Sequence, residues 1–365
     1  MSAQQETAAS PKGGADRIAV SAMRNFMVDA MIACGLPPDD ADIVAQRMIE
    51  SDLSGIDTHG IARLPQYVPW LRKGVINAKP AIRVADRGPA TAVVDGDNGM
   101  GHLVMTRATE VAIELARESG IGWVGSRRSN HAGAGGAYAA LALEHGMIGI
   151  YGAASSANHM AIWGGAEPML GTNPIAFALP AGEEAPVVLD IATSVSSFGV
   201  IRKHMLSGQA IPEGWVIDRK DGTPITDPQR ATDGVLLPIG GHKGSGLAMI
   251  IGMLAGPLNR AAFGRDVQDF SGDRGNETNT GQFIIVLDVK RFLPPAEFGR
   301  EMDRHIRDLR ASQRLPGVEA IRVPGGERLR RMEERGESGI SIPAGLIKQL
   351  DDIATQLTIT PLRAR

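Results

Sequence analysis

Apolar residues recur at helical spacing near the start of the chain: Ile18, Met23, Phe26 and Met27, then Ile43, Val44, Met48 and Ile49. The Gly35-Leu36-Pro37-Pro38-Asp39 break between them predicts two helices within residues 17–50. A third helix is expected over about 60–73, stopping at Gly74. Pro65 falls inside that stretch; proline fits a first turn, so this helix is free to begin after His59. The pattern then alternates. Strands are predicted over 90–95, 121–126, 147–153, 187–191 and 282–289, and helices over about 103–118 and 136–144. A turn is expected at Gly96-Asp97-Asn98-Gly99, and a helical segment after 191 stops at Gly208. From about 295 the chain reads as helical and charged, with breaks at Pro316-Gly317 and Pro324-Gly325-Gly326. The longest apolar run, Leu247 to Leu258, is too short to span a bilayer and predicts a buried helix. Strands and helices intermingle without an internal repeat, so the fold class is α/β in the mixed α+β sense.

Composition narrows the picture. A chain of 365 residues that is 43% hydrophobic predicts two or three lobes with real cores. The 45 glycines are spread through apolar segments, which points to tight turns and close approach of backbone to a ligand. A net charge of −3 with no basic face gives nucleic acid and anionic membranes no electrostatic support. Cys34 is the sole cysteine, so no intrachain disulfide is expected, in keeping with a reducing cytoplasm. Residues 1–15 hold no apolar run and read as a loose tail rather than a signal peptide.

Four segments carry candidate chemistry. In Thr58-His59-Gly60-Ile61-Ala62-Arg63-Leu64-Pro65-Gln66-Tyr67, residues at i, i+4 and i+8 of a helix would drift only about 80° around its axis. One face would then carry an acid/base group near neutrality, a cation that grips carboxylates bidentately, and a phenol. The same spacing also suits an ordinary amphipathic helix with a surface arginine and a capping histidine. In Ser129-Asn130-His131-Ala132-Gly133-Ala134-Gly135-Gly136, a histidine sits among small residues between a strand end and a helix start, as ligand contact or as a turn group. In Val188-Leu189-Asp190-Ile191-Ala192-Thr193-Ser194, a strand delivers a carboxylate and then two hydroxyls, one of them a candidate helix N-cap. In Pro238-Ile239-Gly240-Gly241-His242-Lys243-Gly244, a lysine among glycines before an apolar helix suits a phosphate, or is a solvated loop residue.

Several familiar signatures are missing. No G-x-G-x-x-G follows a predicted strand, and there is no Walker A sequence. No H-x-x-x-H, C-x-x-C or H-E-x-x-H spacing points to a metal, and no G-x-S-x-G elbow to a serine nucleophile.

In order along residues 17–345, the pieces THGIARLPQYV, DGDNGMGH, SNHAGAGGAY, IWGGAEPMLGTNPIAFALP, VLDIATS, IPEGWVIDRKDGTPITDP, GGHKGSGLA and VPGGER resemble the type-2 malate/L-lactate dehydrogenase family. The resemblance implies an NAD- or NADP-dependent enzyme without a metal, whose cofactor fold is not Rossmann, and a homodimer with pockets near the subunit boundary. It divides the chain into an N-terminal helical, substrate-binding part (16–80), a mixed-sheet cofactor domain (81–290) and a C-terminal helical segment (291–365) packing back on the N-terminal part. It places Thr58, Arg63 and Tyr67 at the substrate, and His59, His131 and Asp190 at the chemistry. Ser155, Asp190, Ile191, Ala192, Thr193, Ser194, His242, Lys243, Gly326 and Glu327 fall on cofactor-contacting positions. The implied reaction is hydride transfer between the cofactor and C2 of a small 2-hydroxy or 2-oxo acid. The alternative is NADPH-dependent reduction of a cyclic 2-imino acid such as Δ1-piperideine- or Δ1-pyrroline-2-carboxylate. A non-catalytic relative would be expected to have lost its polar sites, and His59, Arg63, His131, Asp190 and Lys243 are all intact. Three features depart from the family pattern. Thr58 stands where serine is common, the Ser155-Ser156-Ala157-Asn158-His159-Met160 stretch follows no one member, and Gly325-Gly326-Glu327 carries an extra glycine.

Overall fold

The computed structural model describes residues 17–269 and 276–365. The expected tail over 1–15 lies outside them. The first part runs β1 (Arg17–Ile18), α1 (Val20–Ala33), α2 (Pro38–Leu53), α3 (Leu64–Arg72), β2 (Arg83–Arg87), β3 (Thr91–Asp95), α4 (Gly101–Ser119) and β4 (Ile121–Ser129). Next come α5 (Gly135–Leu141), β5 (Met147–Ala153), β6 (Ile175–Leu179), β7 (Val187–Ile191), α6 (Phe198–Ser207), β8 (Val216–Asp218) and β9 (Gly234–Leu236). The last part is α7 (His242–Ala255), β10 (Thr280–Asp288), α8 (Pro295–Ala311), α9 (Gly326–Ser338), β11 (Ile340–Ser341) and α10 (Ala344–Leu357).

Seven strands form one mixed sheet in the order β2-β3-β4-β10-β5-β6-β7. Only β3 and β4 pair in parallel; the other neighbours are antiparallel. Helix α4 lies on this sheet. Its apolar stripe of Val104, Met105, Val111 and Leu115 packs in one core with Val94, Val124, Ile284 and Val286. Gly120, in the left-handed region at φ 86°, ends the helix and turns the chain into β4. A second core joins the two ends of the chain. Met23, Phe26, Met27, Met48, Leu64 and Tyr67 pack with Ile340, Ile347, Leu350 and Ile353, and β1 pairs with β11. A third, smaller core gathers Met160, Leu170, Ile201, Val216 and Leu236 around α6 and the β8–β9 pair.

Three expectations are corrected. Residues 60–73 do not form one helix: 3-10 turns at Asp57–His59 and Ile61–Arg63 precede α3, with Gly60 between them at φ −96°, ψ −138°. His59, Arg63 and Tyr67 therefore do not share a continuous helical face. Folding, rather than i+4 spacing, brings them together. Nor is the run from Leu247 to Leu258 buried. Ile251 and Ala255 of α7 face the sheet, whereas Leu247 and Ile250 are half exposed, because no other part of the described chain covers that face. The N-cap after β7 is also Ser197, whose hydroxyl accepts the Val200 N–H, and not Thr193 or Ser194.

Candidate active site

The turn bearing His59 is built on a buried acid. Asp52, in the last turn of α2, places its carboxylate under the chain, where Oδ2 accepts the Ile61 N–H at 2.8 Å. A Cβ at residue 60 would stand 1.9 Å from Asp52 Oδ1, so only glycine fits there. Burial pushes the Asp52 carboxyl up to about 8, against the opposing effect of the Ile61 N–H. From α9, Arg335 donates to the Asp52 carbonyl and to the Asp57 carboxylate, pinning the turn to the C-terminal part of the chain.

On this turn the Thr58 hydroxyl lies 2.9 Å from His59 Nδ1, and Thr58 itself is exposed. Arg63 reaches back, donating from Nε to the Thr58 carbonyl at 2.6 Å and from Nη1 to Gln66 Oε1 at 2.9 Å. Opposite stands His131, between β4 and α5. Its ring stacks on His59 with centroids 5.4 Å apart. A Cβ on Gly101 would fall 2.1 Å from the Asn130 carbonyl, so glycine lets the first turn of α4 press on the His131 loop. The His131 Nδ1 takes the Gly133 N–H at 3.3 Å and lies 2.6 Å from the Tyr67 hydroxyl. A backbone N–H only donates, so Nδ1 is the unprotonated nitrogen. The Tyr67 hydroxyl must also donate to it, and the ring proton sits on Nε2.

Both histidines and the Tyr67 phenol are neutral here, whereas Arg63 keeps its charge. Burial pushes His59 down to about 3, helped by the Arg63 charge and by His102. His131 is lowered by burial first and then by Arg63 and His59, while burial raises the Tyr67 phenol. A histidine titrating near its ordinary value, expected from sequence, is therefore not what this site holds.

His102 of α4 closes the DGDNGMGH segment but carries no local signal of a functional role. It is fully buried, meets Tyr67 edge to face at 5.6 Å, and neither ring nitrogen has a hydrogen-bond partner among the described residues. In the sequence nothing local distinguishes Asp52, Arg328 and Arg335 from helix-surface charges.

The remaining candidates gather at the other end of the sheet. Asp190, at the end of β7, accepts the Gly136 N–H at 2.7 Å in the first turn of α5. Its described bonds link it to neither His59 nor His131. Burial raises this carboxyl, opposed by the Gly136 bond and the nearby Arg328. The Ser155 hydroxyl lies 3.1 Å from that of Thr172. Thr193 Oγ1 donates to the Thr172 carbonyl at 2.9 Å, and Ser194 bridges to Pro238 just ahead of α7. Ile191 and Ala192 complete that turn. His242 and Lys243 open α7 on the exposed surface, where the first-turn amides lack intrahelical acceptors. Gly326 and Glu327 open α9 behind β7, with the Val188 N–H bonded to the Pro324 carbonyl at 3.3 Å. Glu327 already holds Arg330 and Arg331. An uncapped helix start with an adjacent lysine suits the phosphates of a dinucleotide.

Among the described residues no group of three or more potential ligands is placed to hold a metal, and no helix is long and apolar enough to cross a membrane. Residues 18–351 match the family model described as malate/L-lactate dehydrogenase. A malate dehydrogenase of Pyrococcus horikoshii is 36% identical over 353 residues, 95% of this chain and 97% of the relative. An L-sulfolactate dehydrogenase of Methanocaldococcus jannaschii is 38% identical over 334 residues, 92% and 95% of the two chains. The solved malate dehydrogenase of Entamoeba histolytica superposes with a TM-score of 0.90 at 30% identity, covering 95% of this chain and 99% of that one. The chain thus belongs to the malate/L-lactate dehydrogenase family and is an oxidoreductase of the NAD(P)-dependent dehydrogenase class.

Proposed function

We propose that this enzyme interconverts a small 2-oxo acid and its 2-hydroxy acid: 2-oxo acid, NAD(P)H and a proton give 2-hydroxy acid and NAD(P)+. The observation that carries the reading is the placing of Arg63 beside two histidines whose hydrogen bonding differs. When bound, the nicotinamide supplies the hydride to C2 and takes it back in the reverse direction. Ser155, the Asp190–Ser194 turn, His242, Lys243 and Gly326 would hold the cofactor, with Lys243 and the α7 amides at its phosphates. Glu327 is held by its arginines and would contribute through its backbone.

Arg63 binds the substrate carboxylate and so fixes C2. That carboxylate also offsets the positive charge that depresses both histidines, so substrate binding raises the proton affinity of His59. A second proton on His131 would have to sit on Nδ1, against the Gly133 N–H, which cannot turn to accept it. His59 has no such obstacle, because the Thr58 hydroxyl can turn from donor to acceptor. His59 is therefore the proton carrier, with Thr58 linking it to solvent. His131 is the fixed N–H donor toward the C2 oxygen, and Tyr67 acts through it.

The core formed by both chain ends is the substrate side. The mixed sheet, mostly antiparallel where a doubly wound nucleotide sheet is parallel, is a non-Rossmann cofactor side. The boundaries fall near residues 80 and 290. The half-exposed Leu247 and Ile250 of α7 are assigned to a homodimer contact; sedimentation should give a dimer, and Ile250→Asp a monomer.

The test is a turnover panel of NADH and NADPH against pyruvate, oxaloacetate and Δ1-piperideine-2-carboxylate. Faster oxidation of one cofactor with a 2-oxo acid supports the reading. Turnover confined to the cyclic imine, or none, contradicts it.

A further inference from the structure

A cavity of about 210 Å3 lies between α6, the β8–β9 pair and the loop that begins at Asn158. Its link to the turn bearing His59 is the first turn of α6. A Cβ on Gly199 would stand 3.5 Å from Thr58 Cγ2, while its neighbour Phe198 lines the cavity. Phe198 is stacked on His159, with centroids 4.4 Å apart and planes 8° from parallel. His159 lies in the stretch that departs from the family pattern. Ile201 and Val216 add apolar wall. The cavity also holds one cation and one anion. Arg219 donates to the Asp233 and Thr232 carbonyls, both at 3.0 Å, and Asp269 lines the same space. Charge in the cavity is therefore balanced, so nothing selects for a second anionic group. Two parallel rings with aliphatic neighbours favour a flat, uncharged one.

Resting on the proposed reduction of 2-oxo acids, we infer that this cavity receives the substrate's side chain, and that the preferred substrates carry a planar, uncharged tail such as an aryl ring. Phe198 and His159 set this specificity. Arg63 and the histidines act at the other side of Thr58, where all 2-oxo acids look alike. The inference sets this chain apart from relatives named for malate and sulfolactate, whose tails are anionic.

The experiment compares kcat/KM for phenylpyruvate, oxaloacetate and pyruvate in wild type, Phe198→Ala, His159→Phe and Val216→Phe. Wild type should prefer phenylpyruvate. The phenylpyruvate-to-pyruvate ratio should fall by about tenfold in Phe198→Ala, and in Val216→Phe, which fills the cavity. His159→Phe preserves the stacked pair and should preserve the ratio. A wild-type preference for oxaloacetate, or a ratio unmoved by both Phe198→Ala and Val216→Phe, overturns the inference. Calorimetric titration with phenylpyruvate separates the two levels. If no 2-oxo acid is reduced, the proposed reaction fails, yet phenylpyruvate binding that Val216→Phe abolishes still upholds the pocket. No binding to wild type overturns it.

Discussion

The two ends of the site are built on opposite plans. Around His59, His131 and Tyr67 the structure withdraws titratable groups from water, Tyr67 wholly and the two histidines in part, and holds them through hydrogen bonds to neighbouring side chains and to backbone. Around His242 and Lys243 the structure leaves an exposed helix start with one lysine. Burial at the first end raises the strength of every electrostatic contact, and the Gly133 N–H ties His131 to one tautomer. Exposure at the second makes binding depend on backbone amides already in place and on a screened charge. Chemistry is expected to be sensitive to small changes at the first end, and cofactor affinity tolerant of them at the second.

The largest break in that contrast should come from Arg63→Ala. Removing one partner of a desolvated carboxylate pair costs about 2–5 kcal/mol, so steady-state kcat/KM for the 2-oxo acid should fall roughly 30-fold to a few thousand-fold. Arg63→Lys should recover little, because an ammonium lacks the bidentate fork. Retention of kcat/KM within a few-fold would remove the carboxylate role.

Tyr67→Phe should have an intermediate effect. It keeps the ring in the core and deletes only the donor to His131 Nδ1. A neutral hydrogen bond is worth about 0.5–1.5 kcal/mol, so kcat should drop by roughly two- to tenfold. KM for the acid should change little if Tyr67 acts through His131, and should carry the whole effect if the phenol touches substrate instead. The smallest effect is expected from Lys243→Ala. An exposed charge at a helix start contributes about 0.3–1 kcal/mol, so cofactor Kd should weaken only a few-fold, and the difference should shrink as salt is added. A loss that is large and independent of salt would show that the lysine is enclosed in the working enzyme.

The same contrast explains what could be read from sequence. The helices α1, α2 and α4 announce themselves because each buries one periodic face, and the strands β3, β5, β7 and β10 because each is a short, mostly apolar run. Strands β2 and β6, and the short β8–β9 pair, carry weaker patterns and were not anticipated. Local spacing misled at Thr58–Tyr67, where i+4 periodicity suggested one helical face. Gly60, held over the Asp52 carboxylate, breaks the helix there, and that constraint comes from a residue eight positions earlier. The exposed face of α7 could not be told from a buried one, because an apolar run looks the same whether it meets the chain's own core or another surface. The pairing of Tyr67 with His131, 64 residues away, and the burial of His102 depend on tertiary contacts that no local pattern encodes. Collinear motifs, rather than the chemistry of any one segment, made the candidate residues visible.

The central claim is the division of labour between the histidines, and the pH dependence of kcat tests it most directly. In the free enzyme His59 is held down to about 3 by burial and by Arg63. A bound carboxylate opposes that charge, so the group must titrate higher in the enzyme–substrate complex than in the free enzyme. Reduction needs the protonated form, and its rate should fall as pH rises through this value; oxidation needs the neutral form and should rise there. His131→Gln should lower kcat while keeping the inflection, whereas His59→Gln should abolish the inflection while cofactor still binds. Loss of the inflection in the His131 variant and its survival in the His59 variant would contradict the assignment.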